Sequence, residues 1–274
     1  MNSLRQKARV MSKKIVEILL KEHINALVEK GMRRDGRGLY NYRDIEIKSE
    51  TATHGDGECW VKIGKTQVVT GIKVDVGPPY PDTPDKGVFV VNVELLPLAS
   101  PTFEPGPPGP ESIEIARVVD RTIRSAEAID LEKLVIKPGE LVYILFVDIY
   151  VLDYDGNLFD AATLSAVSAL SKTTIPVVRV DDNGNIIANP DEKFRLELKS
   201  KPVTVTMVKI GKELVVDPNL EEEQVADSRI TFGVKEGGKI CSIQKGPGSL
   251  SIEMVMKAAE IALNEYEQLS AYYR

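Results

Sequence analysis

Three arginines spaced along one predicted helix face are the sharpest candidate for binding chemistry in this sequence. Arg117, Arg121 and Arg124 are separated by four and three residues, and at about 100° per residue they fall within an arc of about 60°. Guanidinium groups repeated about 5–6 Å apart suit the successive phosphates of a single nucleic-acid strand. Glu114 and Asp120 lie within reach of the same arginines. Spacing alone therefore leaves two interpretations open, a phosphate-binding stripe and a self-neutralised surface.

Three further segments carry charge in patterns that could bind an ion, and each also has a plain structural interpretation. Residues 33–37, RRDGR, could bind phosphate or a carboxylate surface, or form a solvated turn. The acidic segment 217–227 could hold Mg²⁺ through oxygen ligands, or be a solvated turn. Residues 245–249, KGPGS, could bind an anion at the start of the last helix, or form a turn with a serine cap.

Histidine, cysteine and glycine patterns offer no support for other kinds of site. The chain has two cysteines and two histidines, too few and too scattered for a zinc site, a disulfide framework or a nucleophile–histidine pair. There is no P-loop and no complete dinucleotide-binding glycine pattern. We therefore expect no metal, no cofactor and no catalytic residue assigned by these motifs, in a protein from a reducing compartment.

Composition describes an ordinary globular chain whose charge is unevenly distributed. The 274 residues carry a net charge of −6, which disfavours binding of nucleic acid by the chain alone. Residues 1–48 have 12 Lys and Arg against 6 Asp and Glu, so the remainder is the strongly acidic part. No secretion signal and no apolar stretch of bilayer length is visible, so we expect a cytoplasmic protein without a membrane segment.

The elements that must position these residues follow an α+β order. Apolar periodicity predicts helices over residues 13–30, 111–129, 161–170 and 249–272. Alternating patterns predict strands near residues 45, 59, 68, 88, 141, 176, 203, 214, 230 and 240. Residues 97–110 hold six prolines, so they form either a rigid connector or a structured surface for a partner chain. The predicted organisation is an N-terminal helix at 12–31, a first lobe at 32–180 and a C-terminal lobe at 192–272.

Four motifs in sequence order resemble the RNase PH family over nearly the whole chain. They are residues 34–37 (RDGR), 93–99 (VELLPLA) before the proline-rich loop, 112–121 (SIEIARVVDR) and 155–162 (DGNLFDAA). Each motif is weak alone, but their combination and order are specific. The resemblance implies the RNase PH fold, with two lobes of mixed β-sheet and packed helices, similar to the second domain of ribosomal protein S5.

The resemblance also separates catalytic from non-catalytic members of the family. Catalytic members are phosphorolytic 3′→5′ exoribonucleases that bind phosphate through a small residue and an arginine before the helix matching residues 161–170. Here those positions are Leu158 and Phe159, which cannot bind an oxyanion. Of the two aspartates in the family's acidic loop, only Asp227 aligns well, and Glu223 is nearest the other position. The sequence thus resembles the non-catalytic ring subunit of the archaeal exosome.

That resemblance implies a set of partners and a role for the arginines. Three heterodimers with a catalytic RNase PH-like subunit would form a hexameric ring, capped by subunits with S1 domains. Arg117, Arg121 and Arg124 would help hold the 3′ end of single-stranded RNA. Two alternatives stay open: an active exoribonuclease that uses Glu223 and Asp227, and a structural ring spacer without RNA contact.

Overall fold

The computed structural model describes residues 19–49, 55–180 and 186–273, and these residues form an α+β fold. The larger sheet contains β1 (Ile45–Lys48), β2 (Gly57–Ile63), β3 (Thr66–Gly77), β4 (Val88–Leu95), β5 (Val135–Lys137) and β6 (Leu141–Asp153). Its strand order is β1-β2-β3-β6-β4, and β5 pairs with β6. Only β4 runs parallel to its neighbour among these pairs of described strands, so the sheet is mixed as expected.

A second sheet and a separate strand pair complete the β-structure of the described residues. Strands β9 (Val203–Ile210), β10 (Glu213–Val216), β11 (Ser228–Lys235) and β12 (Lys239–Lys245) form an antiparallel sheet in the order β10-β9-β11-β12. Strands β7 (Thr174–Val180) and β8 (Ile186–Arg195) pair antiparallel. The hairpin turn predicted at residues 181–184 lies outside the described residues.

Five α-helices pack on these sheets within the described ranges. They are α1 (residues 19–28), α2 (Pro110–Ser125), α3 (Leu158–Lys172), α4 (Leu220–Val225) and α5 (Ile252–Ser270), with a 3₁₀ turn at Leu131–Leu134. None of them has both the length and the apolarity needed to cross a bilayer.

Helix α3 is the central element of the core, and its composition explains why. It contacts β2 and β3 of the larger sheet and β9 of the second sheet, and nearly all of its side chains are buried. Small residues allow the helix to approach both sheets closely, and buried hydroxyls secure it: Ser165 donates to the Cys59 carbonyl at 2.9 Å. Apolar residues of both sheets and α3 form one continuous core. This core fixes where the first turn of α3 lies.

Helix α1 packs separately, on the outer face of the second sheet. Ile24 and Val28 are buried there against Val208 and Val215, whereas His23 and Ala26 are exposed. Ile24 and Val28, four residues apart, therefore form the buried face of this helix. Gly31 follows the helix with a φ of 72°, the left-handed conformation in which glycine commonly ends a helix.

Two other sequence predictions need correction. The helix predicted over 111–129 ends at Ser125, because the chain turns at Glu127 with a φ of 55°. The acidic segment 217–227, interpreted as a solvated turn or a Mg²⁺ site, contains helix α4. A capping box holds that helix: Asn219 accepts from the Glu222 backbone N–H and Glu222 accepts from the Asn219 backbone N–H.

Candidate nucleic-acid interface

Helix α2 presents the three arginines on the side opposite the core. It starts with Pro110 at its first position, where a missing backbone N–H is tolerated. The buried side chains are Ser112, Ile115, Val118, Val119, Thr122 and Ile123. These centre about 180° around the helix from the arginine stripe, which comprises Arg117, Arg121 and Arg124. All three arginines are exposed, as the helical spacing predicts.

The first arginine of the stripe has no intramolecular partner among the described residues. Glu114, which sequence spacing offered to Arg117, instead accepts from Arg229 at 2.6 Å and from Gln244 at 3.0 Å. Both donors lie on the second sheet, so the pairing could not be read from local spacing. The guanidinium of Arg117 is left available for an external anion.

The other two arginines are partly engaged within the chain. Arg121 donates to the Gln244 side-chain oxygen at 3.1 Å, and Arg124 pairs with Asp120 at 2.8 Å. The Arg124 guanidinium also lies 4.2 Å from the centre of the Phe89 ring. An exposed ion pair of this kind contributes little, about 0–1 kcal/mol. The arginines of the stripe thus differ in their availability to an external anion: Arg117 has no partner among the described residues, whereas Arg124 is held in one orientation.

An open cavity of about 490 Å³ adjoins the C-terminal end of the stripe. Arg124 and Phe89 line it together with Tyr80, which is 52% exposed. Lys86 and Lys199 are further cations in the same lining, which also holds the carboxylates of Glu127, Asp130 and Glu132. An exposed aromatic ring beside a guanidinium could stack with a base while the cation contacts a phosphate. The sequence analysis did not identify Tyr80. It is a single tyrosine among the prolines of residues 78–84, and nothing in the sequence indicates that it lines a cavity with Arg124.

The N-terminus of α3 is occupied by a carboxylate from the same chain. Leu158 and Phe159 are both buried there. Glu223 accepts a hydrogen bond from the Asn157 backbone N–H at 2.9 Å and from the Tyr154 hydroxyl at 2.7 Å. Burial raises the pKa of Glu223, although these hydrogen bonds oppose the shift. At this helix start, where an anion would find backbone donors, an internal carboxylate is already bound.

The remaining carboxylates of the acidic segment are also satisfied internally. Asp217 is bound by Arg37 and Arg43 at 2.9 and 2.8 Å, and Asp227 pairs with Lys21 at 2.8 Å. Burial raises the pKa of Asp217, but the Arg43 contacts outweigh it and hold that pKa below its usual value. Among the described residues, no group of three or more His, Cys, Asp or Glu is placed to hold a metal ion.

The RRDGR segment is a structural clamp on this acidic segment. Arg33 is 3% exposed and binds the Glu222 carboxylate, with its Nε 2.9 Å from Oε1. It also donates to the carbonyl of Val216 at 2.7 Å. The expected solvated turn is confirmed at residues 34–36, which are exposed, with Arg34 paired to Glu221 at the surface. The expected binding of a carboxylate surface is also observed, because Arg33 and Arg37 bind carboxylates of the acidic segment, whereas an external phosphate is wrong for the buried Arg33.

The loop before the last helix also binds its own chain. Lys245 donates to the backbone carbonyls of Gly246 and Gly248. The cap of α5 is Ser251, which accepts from the Met254 N–H at 3.2 Å. The serine cap expected at residue 249 is therefore two residues further along the chain, and the lysine is turned to its own loop.

Comparison with known proteins gives a consistent result over most of the chain. Models of the 3′ exoribonuclease family match in two parts, domain 1 at residues 41–176 and domain 2 at residues 201–265. Exosome complex component Rrp42 of Thermococcus gammatolerans is 51% identical over 252 residues, 92% of each chain. The protein of the same name from Methanothermobacter thermautotrophicus is 46% identical over 259 residues, 94% of this chain and 95% of that one.

A solved structure shares the fold over nearly the full length. A chain from the Archaeoglobus fulgidus exosome with RNA bound to the active site matches with a TM-score of 0.87 and 40% identity. The match covers 95% of this chain and 100% of that chain. The mixed sheets and the central helix described above are therefore those of that solved chain.

Proposed function

The chain belongs to the RNase PH family of 3′ exoribonucleases, and from this premise we propose that it is a ring subunit of an archaeal exosome. In this role it contributes to phosphorolytic 3′→5′ RNA degradation in the cytoplasm. It shapes the active site of a catalytic RNase PH-like partner and helps hold the RNA 3′ end, while the chemistry takes place on that partner.

The observation that carries the non-catalytic role is the hydrogen bond from the Asn157 backbone to Glu223. Phosphorolysis needs a bound phosphate, and the resemblance assigns that phosphate to the positions of Leu158 and Phe159. Neither side chain can donate a hydrogen bond, and the carboxylate beside them repels a second anion. Arg229, a nearby cation, stacks on Phe159 at 4.3 Å and is paired with Glu114. These contacts indicate that the residues around the N-terminus of α3 stabilise the fold and do not bind phosphate.

The arginine stripe supports the RNA-holding part of the proposal. Arg117 is unpaired within the described residues, and Arg121 has only a neutral partner. Single-stranded RNA bound along α2 would meet successive guanidinium groups on its phosphates. Tyr80 lines the same cavity as Arg124 and offers an exposed ring for base stacking there.

Assembly removes the conflict between RNA binding and the acidic charge of the chain. A net charge of −6 opposes capture of RNA by the chain alone. In three heterodimers that form a hexameric ring, each subunit needs to add only a few guanidinium groups to a shared channel. Cap subunits with S1 domains would supply further RNA contacts.

A second candidate role is that of a ring spacer without RNA contact. The Arg124–Asp120 ion pair favours it, because this part of the stripe neutralises itself. The two roles differ in whether RNA in the assembled ring reaches α2. Photocrosslinking of RNA containing 4-thiouridine, followed by mapping of the attached peptides, distinguishes them.

The test of the proposal uses the full chain alone and with the catalytic RNase PH-like subunit encoded in the same genome. With phosphate and single-stranded RNA, the chain alone should release no nucleoside diphosphates, and the mixture should release them. Native mass spectrometry of the mixture should show three copies of each subunit. Robust release by the chain alone would overturn the non-catalytic role, and a stable lone monomer in the mixture would overturn the ring.

A further inference from the structure

A groove beside the first turn of α2 differs in chemistry from the arginine stripe. Its volume is about 780 Å³, which falls in the range of about 300–1,000 Å³ typical of ligand-binding clefts. The C-terminal half of β4, the middle of β6 and the loop over residues 97–109 line it. The first residues of α2 close one end.

The loop wall of this groove is rigid. Five prolines, Pro97, Pro105, Pro107, Pro108 and Pro110, line the groove, and each fixes its own φ angle. The buried Phe103 anchors the loop by stacking on Tyr154, with ring centres 5.3 Å apart. A groove formed in advance costs less entropy to fill than one that must be ordered by its ligand.

The lining of the groove is strongly acidic. Four carboxylates line it, from Glu94, Glu104, Glu111 and Asp148, and no Lys, Arg or His is present among the lining residues, all of which the structure describes. Burial and the negative charges of Asp148 and Glu94 raise the pKa of Tyr150. The groove therefore favours a cation and repels a phosphate backbone.

Tyr150 gives the groove an apolar and aromatic floor. Tyr150 is 37% exposed, and it lies opposite Glu94 in the parallel pairing of β4 with β6. An aromatic ring next to carboxylates suits a guanidinium or ammonium group, which can contact the ring face and a carboxylate together. The apolar stem of a lysine or arginine fits against the same ring.

We propose that this acidic groove binds an extended segment of a neighbouring protein subunit that carries lysine or arginine. The proposal rests on the proposed function, since the neighbour is a subunit of the same ring. Helix α2 then separates two kinds of contact. Its first turn faces the protein partner, and its later turns, beginning about 9 Å along the axis at Arg117, face RNA.

A photocrosslinker placed in the groove tests where the segment comes from. Tyr150→p-benzoylphenylalanine is assembled with the catalytic subunit, irradiated and digested, and Tyr272→p-benzoylphenylalanine, just beyond the end of α5, serves as the matched control. The expected product joins residue 150 to a peptide of the other subunit with at least one lysine or arginine. Crosslinks only to RNA, to residues 1–18 of this chain or to an acidic peptide overturn the proposal, as does the absence of crosslinks.

Charge reversal supplies an independent measurement. Glu94→Lys with Glu104→Lys should weaken binding of the catalytic subunit at least tenfold at physiological salt. Glu253→Lys with Glu260→Lys, the same charge change on exposed positions of α5, should change it less than twofold. Circular dichroism confirms that both double variants fold. Unchanged affinity in the groove variant overturns the proposal while leaving the exosome role intact, whereas failure of the unmodified chains to assemble overturns both.

Discussion

The Arg43 guanidinium donates hydrogen bonds to both carboxylate oxygens of Asp217, in a buried bidentate ion pair that we call the fork. Its Nε lies 2.9 Å from Oδ2 and its Nη2 lies 2.8 Å from Oδ1. The same guanidinium donates to the Asp155 carbonyl at 2.6 Å. These contacts join the first strand region to the turn before α3 and to the segment before α4. A feature that resembled a ligand site in sequence is therefore a structural junction.

Removal of this fork should destabilise the protein substantially. Arg43→Met leaves the Asp217 carboxylate buried with fewer partners, and we expect a loss of about 3–5 kcal/mol in the free energy of unfolding. The matched control is Arg34→Met, which removes an exposed pair with Glu221 and should cost about 0–1 kcal/mol. Urea denaturation at pH 7 measures both, and equal losses would contradict the role of the fork.

The free energy of unfolding of Arg43→Met should also fall less on acidification than that of the unmodified protein. The pKa of Asp217 is lowered in the folded state, so its contribution to stability is present above the unfolded pKa and is lost as the pH falls through the folded one. The stability difference between the unmodified protein and Arg43→Met should therefore shrink on acidification. A difference that is constant down to the acid unfolding transition would contradict this.

Glu223→Gln should shift stability with the opposite sign of pH dependence. The pKa of Glu223 is raised by burial, so the folded state favours its neutral form, and stability falls as the pH rises from the unfolded pKa through the folded one. Glutamine can still accept from the Asn157 N–H and cannot ionise. The variant should therefore gain stability relative to the unmodified protein as the pH rises from 4 to 8.

Asp227→Asn supplies the control of opposite sign for that experiment. A hydrogen bond from Lys21 lowers the pKa of Asp227, so the unmodified protein should gain stability relative to this variant as the pH rises. Denaturant unfolding at several pH values measures both slopes. If the two variants shift in the same direction, the internal pairing described for the acidic segment is wrong.

Gly156 should tolerate no side chain. Its φ is 87°, and a Cβ atom there would lie 2.4 Å from the Pro218 carbonyl oxygen. Gly156→Ala should cost at least about 2 kcal/mol, because it adds a strained conformation and forces the backbone before α4 to move. Gly71→Ala, in β3 with no atom within 4 Å of its Cβ, should change stability by less than about 1 kcal/mol. Thermal unfolding compares them, and similar melting temperatures would contradict the close packing.

Local periodicity was sufficient for elements whose burial alternates regularly. The strand predicted near residue 141 is confirmed as Leu141–Asp153, because alternate side chains of β6 are apolar and buried. The helix predicted at residues 161–170 instead begins at Leu158. The left-handed Asn157, with a φ of 57°, separates the turn from the helix, and this conformation is set by its contacts with Asp160 and Asp217.

Long-range pairing explains what sequence could not predict at the candidate site. The arginine face of α2 follows from helical spacing alone, but the partner of Glu114 is Arg229, 115 residues further along the chain. Arg33 likewise binds Glu222 across 189 residues. Charges in a sequence can be counted without revealing which of them neutralise each other, so only the folded chain separates the open Arg117 from the buried Arg33.

Single-arginine variants of the stripe should weaken RNA binding in a graded way. In the ring reconstituted with the catalytic subunit and without phosphate, Arg117→Ala and Arg121→Ala should each weaken binding of labelled single-stranded RNA. Each lost phosphate contact should reduce the slope of log K against log salt by about 0.7. Arg124→Ala should have a smaller effect, because Asp120 already neutralises part of its charge. Fluorescence anisotropy at several salt concentrations gives both quantities.

Two further variants and one control variant distinguish RNA binding by the stripe from the spacer role. Asp120→Ala frees Arg124 and should tighten RNA binding, whereas a purely structural ion pair would leave affinity unchanged or reduce folding. Arg121→Glu with Arg124→Glu should leave folding intact and weaken both binding and degradation. Arg179→Ala, an exposed arginine on β7 that pairs with Glu192, controls for loss of one positive charge outside α2. If RNA affinity and degradation rate at physiological salt are the same in all of these rings, the stripe does not contact RNA and the spacer role is correct.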